Sequence, residues 1–102
     1  MNMQQMVQTV QKMQKQYEKE HKILEEKDFE YTANGLVKCV MKGNFTMSKV
    51  EILDKDALSS DNKEMLEEMI AIAYNGCKDA IMAEEDKLAD KYKSFGNGGF
   101  PF

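Results

Sequence analysis

Residues 3 to 24 carry apolar side chains at alternating steps of three and four: Met3, Met6, Val10, Met13, Tyr17 and Leu24, with Glu20 the only break. A repeat sustained over that length is a heptad seam, and it commits the first quarter of the chain to one long helix over residues 4 to 27. With Met3, Val10, Tyr17 and Leu24 at position a, Gln5, Gln8, Lys12, Lys15, Lys19 and Lys22 all fall at c and f, away from the seam. No acid interrupts that line. Glu18, Glu20 and Glu25 fall at b and d, and Glu26 reaches a c position only beyond the last lysine of the stripe. A charged outer face is what any amphipathic helix shows water, so the stripe alone does not separate solvation from recognition of a polyanion.

Beyond this helix the hydrophobic period shortens to two. DFEYTA alternates Phe29 and Tyr31 with polar neighbours. LVKCVMK is apolar on both faces, Leu36 and Val40 on one and Val37, Cys39 and Met41 on the other, which suits the middle strand of a sheet or an interface. The pairs Asn34-Gly35 and Gly43-Asn44 tolerate positive φ, so three antiparallel strands joined by two tight hairpins are expected. In FTMSKVEIL the apolar parity slips between Phe45/Met47 and Val50/Ile52, and a bulge near Ser48 accounts for the slip. Asp61 followed by Glu64 reads as the capping pattern of a second long helix, residues 62 to 93. Its inner face would be Leu66, Met69, Ile70, Ala73, Cys77, Ala80, Ile81 and Leu88. Asn75 is either a buried polar group or a contact between subunits. The glycine-rich SFGNGGFPF that follows is expected to be a mobile tail, giving one domain over 1–94 and a tail over 95–102.

The fold class that results is α/β (α+β): helix, three-stranded meander, helix. Such a unit is too small to cover itself. Its sheet has two edges, its middle strand is apolar on both sides, and its first helix carries a seam longer than one neighbour fills. A homodimer is expected, with Met6, Val10, Met13, Tyr17, Leu24, Leu36 and Val40 in the core or at the subunit contact. Methionines at Met3, Met6 and Met13 suit a helix that packs on more than one surface.

Charge narrows the partners. The chain has 14 basic residues against 18 acidic ones, and every basic residue is Lys. Residues 1 to 27 hold five Lys against four acids, a net +1, whereas residues 59 to 102 hold five against nine, a net −4. The acidic balance therefore sits in the second half and leaves the first helix able to attract polyanions. Without Arg, contact with a nucleic acid must rest on phosphate attraction and on Gln or Asn. No apolar run approaches the ~20 residues a membrane span needs, and no basic-then-apolar leader opens the chain, so an intracellular, cytoplasmic location is expected. Cys39 and Cys77 lack CxxC partners and are expected to be buried free thiols. His21, flanked by Glu18 and Glu25, is a weak basis for a metal site, and a pH-responsive edge on the seam suits it better. No nucleophile motif or phosphate-cradling loop is present, so neither an enzyme nor a cofactor, metal or small-molecule substrate is expected.

Five pieces, in order, resemble the YbaB/EbfC family of small bacterial nucleoid-associated DNA-binding proteins. They are the opening helix QQMVQTVQKMQKQ, the strand start NGLVKCV, the hairpin KGNFTMSKVEI with its V-x-I close, the helix EMLEEMIAIAYNGCKDA and the ending FGNGGFPF. The resemblance runs nearly end to end. It implies a homodimer whose helices project like tweezer arms around double-stranded DNA, in the nucleoid, with roles in nucleoid organisation, gene regulation or recombination and repair. Carried over by position, the implied DNA contacts are Gln5, Gln8, Lys12, Lys15, Lys19 and Lys22 on the first helix and Lys87 and Lys91 on the second. The absence of Arg and the acidic start of the second helix, Glu64, Glu67 and Glu68, depart from what a DNA-gripping surface favours. A dimeric protein-interaction scaffold, docking through the acidic second helix without touching DNA, is the alternative.

Overall fold

The computed structural model describes residues 2–93, so the expected tail over 95–102 lies outside the described residues. The elements follow the expected order: α1 (Met3–Glu26), β1 (Asp28–Ala33), β2 (Val37–Lys42), β3 (Met47–Ile52), two 3-10 turns (Lys55–Leu58 and Ser60–Asn62) and α2 (Lys63–Lys93). The sheet is an antiparallel meander in the order β1-β2-β3. Lys49 pairs with Val40 while Met47 pairs with Met41, so Ser48 has no partner on β2. This is the bulge that the parity slip in the sequence required.

The hairpins are longer than expected. Residues 34–36 join β1 to β2, with Asn34 at φ 50 and Gly35 at φ 70, the positive φ values that the Asn-Gly pair accommodates. Residues 43–46 join β2 to β3, and there the positive φ falls on Phe45 (φ 68) rather than on Gly43 or Asn44. Gly43 is needed for a different reason. Its N–H donates to the Lys27 carbonyl at 2.9 Å, and the Asn44 N–H donates to the Glu25 carbonyl at 3.1 Å. The hairpin thereby clasps the end of α1, where helix carbonyls lack intrahelical partners. A Cβ at Gly43 would stand 1.8 Å from the Leu24 carbonyl oxygen, a distance only glycine permits.

The core forms where α2 lies over β1 and β2. Met69, Ala73, Cys77 and Ile81, spaced by four, meet Phe29, Ala33, Val37, Cys39 and Met41, and all nine are buried. Leu66, Ile70 and Leu88 pack half-buried against this cluster. Ala80 is exposed, contrary to expectation, because the buried line advances in steps of four and leaves it one position off the face. Asn75 is also exposed, which excludes the buried alternative. Both cysteines are free and fully buried, and burial pushes both thiols up from their ordinary values.

Two further expectations need correction. The second side of β2 is not an apolar face awaiting cover: Leu36 belongs to the turn and packs on the core, and half-buried Val40 stands directly opposite Glu30 and Lys49. Around it run ion pairs, Lys38 to Glu30 at 3.3 Å and Lys49 to Glu51 at 3.3 Å, which make that side tolerable to water. Asp61 lies inside the second 3-10 turn rather than at a helix cap, and Asn62 ties the turn together by donating to Ser59 Oγ at 3.0 Å.

Apart from its last turns, α1 has little to pack on. Leu24 is its only buried residue, and every side chain from Asn2 to Lys12 is exposed. The protein measures 69 × 19 × 16 Å with a radius of gyration of 19.6 Å. A compact chain of this length would have about 13 Å. The excess is the arm that α1 makes beyond the body. Among the described residues no helix is long and apolar enough to cross a membrane.

Candidate nucleic-acid interface

The arm begins with a reciprocal cap: the Gln5 N–H donates to Asn2 Oδ1 at 2.8 Å, and the Asn2 N–H donates to Gln5 Oε1 at 3.3 Å. Four orphan N–H groups at a helix start make such a cap worth about 1 kcal/mol. Gln5 is thus partly occupied by the helix itself, and its amide NH2 is what remains to offer a ligand. Gln5, Gln8, Thr9 and Lys12 line one shallow hollow, and Lys15, Gln16, Lys19, Glu20 and Ile23 line a second further along.

Helical geometry places Gln5, Gln8, Lys12, Lys15, Lys19 and Lys22 within a sector of about 100°. The side of α1 that meets α2 is marked by Tyr17, Glu20 and Leu24, and lies roughly opposite. All six stripe residues are exposed. Lys12, Lys15, Lys19 and Lys22 form no ion pair with any described residue, whereas Lys38, Lys42, Lys49, Lys63, Lys87 and Lys91 each lie 2.8–3.9 Å from a carboxylate oxygen. Among the described residues, six of the ten lysines outside the stripe are paired with a carboxylate, and none of the four on the stripe is.

Lys87 and Lys91 lie apart from the stripe. They line a groove of about 320 Å³ between the end of α1 and α2, with Lys27 beside them and Ile23, Leu24, Phe29 and Leu88 as its floor. Ile23 lines both this groove and the Lys15/Lys19 hollow, so the two basic regions meet there. Lys87 pairs with Glu84 at 3.5 Å and Lys91 with Glu20 at 2.8 Å, which blunts their charge. Lys27 was not singled out from sequence, although its d position sets it on the seam side that meets α2.

Glu20, the break in the seam, also has its explanation in α2. Its carboxylate accepts from Lys91 Nζ at 2.8 Å and from the Tyr92 hydroxyl at 2.8 Å. The Lys91 bond first, then the Tyr92 bond, holds this carboxyl below its ordinary value, so it is ionised at neutral pH. Tyr92 is 3 % exposed, and its burial, with the Glu20 carboxylate adding to it, pushes the phenol up to about 12. Its ring meets Tyr17 edge-on at 5.6 Å, and Tyr17 stacks on His21 at 5.7 Å. His21 in turn lies 3.1 Å from Glu25.

A model of the YbaB/EbfC DNA-binding family matches residues 1–98. The chain belongs to that family. It is 34 % identical to a nucleoid-associated protein of Malacoplasma penetrans (strain HF-2) over 102 residues, the full length of both chains. A nucleoid-associated protein of Enterococcus faecalis is 35 % identical over 92 residues, 89 % of this chain and 88 % of that one. The fold matches the crystal structure of an uncharacterized protein from Helicobacter pylori with a TM-score of 0.71, covering 94 % of this chain and 99 % of that one at 18 % identity. A YbaB/EbfC protein is thus a helix, a three-stranded meander and a helix, and the family to which this chain belongs is a DNA-binding one.

Proposed function

We propose that this YbaB/EbfC protein binds double-stranded DNA as a homodimer through the outer stripe of α1, with modest affinity and low sequence selectivity, and contributes to nucleoid organisation. The observation that carries the reading is the charge contrast: four consecutive stripe lysines lack carboxylate partners in a molecule of net charge −4. A polyanion gains from such a strip by releasing counterions, and the acidic body limits the total gain. Lys supplies point charges and not the guanine-reading fork, so selectivity stays low. Lys27, Lys87 and Lys91 extend the basic path where the duplex passes the groove. The names of the Malacoplasma and Enterococcus relatives favour a place in the nucleoid.

Dimerisation follows from what a single chain leaves bare. Met3 is 81 % and Met6 54 % exposed on the arm, and Val50 is 46 % exposed on β3, on the side of the sheet that α2 covers only over β1 and β2. A second copy is the occupant that the heptad pattern anticipates, and it doubles the stripe to eight lysines. If about four of the eight engage phosphates, log K falls with log salt at a slope of about −3.6.

The test is a titration of random duplex DNA against salt, on protein whose mass has been measured in solution. Reversing charge at Lys12, Lys15 and Lys19 should abolish binding and leave the dimer intact. Normal binding by that variant refutes the stripe as the contact, and absence of wild-type binding in dilute buffer leaves the protein-interaction scaffold.

A further inference from the structure

We propose that Glu20 is a positioning residue: held by Lys91 and Tyr92, it fixes the angle at which the α1 arm leaves the body and so presents the lysine stripe to the duplex. The inference rests on the reading of α1 as the DNA contact. An apolar residue at this seam position would pack against α2 without setting an angle, because hydrophobic contact is non-directional. An ionised carboxylate that accepts two bonds at 2.8 Å, one from a buried phenol, is directional. Tyr92 is itself gripped edge-on by Tyr17, so the side chains that hold α1 to α2 interlock at one level of the helix. Toward the N-terminus of Met13, every described residue of α1 is exposed and nothing in the chain steadies the helix.

The lever is long. From Glu20 to Met3 the helix rises about 25 Å at 1.5 Å per residue, so a tilt of about 10° carries its tip about 4 Å. That exceeds the tolerance of a lysine–phosphate hydrogen bond, which weakens within about 0.5 Å. Loss of the Glu20 bonds therefore spreads the arm over angles of which only a fraction presents the stripe correctly, and affinity falls by that fraction.

Two variants test this. Glu20→Gln removes an acid from the arm, so charge alone predicts tighter binding to DNA, whereas positioning predicts binding weaker by about threefold or more if a third or less of the arms remain aligned. Tyr92→Phe removes one of the two bonds with no change of charge and guards against a folding defect in the first variant. Spin labels at Gln4→Cys and Asp79→Cys, both exposed sites, report the arm angle while the native thiols stay buried. Labelled chains are diluted with unlabelled ones so that distances within one chain dominate. The expected result is a broadened distance distribution in both variants, weaker duplex binding and an unchanged salt slope. A distribution as narrow as wild type overturns the proposal, and so does a broadened one with Glu20→Gln binding as tightly as wild type or tighter. Should the wild-type protein ignore DNA, the DNA reading falls, and the distance distributions still decide whether Glu20 sets the angle.

Discussion

Replacing Gly43 with Ala should detach the root of the arm. The added Cβ would stand 1.8 Å from the Leu24 carbonyl oxygen, and real Cβ contacts begin near 3.0 Å, so hairpin and helix must part by about 1.2 Å. The obstacle is backbone on both sides, with no side chain to swing away. Parting of that size breaks the bonds from Gly43 N–H to Lys27 (2.9 Å) and from Asn44 N–H to Glu25 (3.1 Å). Each is worth about 1 kcal/mol, and the overpacking adds roughly 1–3 kcal/mol. The stiffer unfolded chain returns about 0.4–1 kcal/mol. The net expectation is a loss of about 2–4 kcal/mol, a fall in Tm of at least about 8 °C for a domain of this size. Thermal and urea unfolding at one fixed protein concentration measure it. Gly35→Ala is the matched control: its Cβ meets nothing within 4 Å, and only its φ of +70 resists, at about 1–2 kcal/mol. If Gly43→Ala unfolds no more readily than Gly35→Ala, the clasp does not hold α1 to the sheet.

Gly76 poses the same question inside α2, where a Cβ would meet the Tyr31 ring at 2.3 Å. Ala is favoured over Gly in a helix by about 1 kcal/mol, so Gly76→Ala should destabilise in the wild-type background and stabilise once Tyr31→Ala has removed the ring, a sign change that a urea double-mutant cycle reads directly. Tyr92 should ionise at about 12 in an absorbance titration, and Glu20→Gln should bring it down. Since its folded value lies above the ordinary 10.0, its contribution to stability is full below pH 10 and is lost as pH rises through about 12. Phe45 bears a φ of +68, which Asn tolerates better, and is 42 % exposed, so Phe45→Asn should raise stability by up to about 1 kcal/mol in the same unfolding assay if relief of the backbone outweighs the lost ring contacts.

What could be read in advance was whatever repeats. The heptad seam announced α1, the period of two announced the strands, and a single slip in parity located the bulge at Ser48. Relations across the chain left no such trace. Nothing local distinguishes Glu20 as the acceptor of a phenol seventy-two residues away, although its lone charge in an apolar series was visible as an anomaly. Gly43 was noticed for its freedom in φ, yet its place depends on how closely a helix end approaches, which only the packed fold decides. Lys87 and Lys91 looked like free charges one turn apart. Their carboxylate partners, one on the same helix and one on the opposite helix, appear only in three dimensions.

The clasp at Gly43 and the bonds at Glu20 confine what α1 needs from the rest of the chain to its last three turns. From Asn2 to Lys12 no side chain is buried, so beyond the cap at Asn2 and Gln5 substitutions there cost a single protomer little, and on the proposed reading they act through what the arm touches. On the proposed reading, one end of this helix answers to the fold and the other to DNA and the second copy, which leaves the outer stripe open to redesign with the scaffold beneath it unchanged.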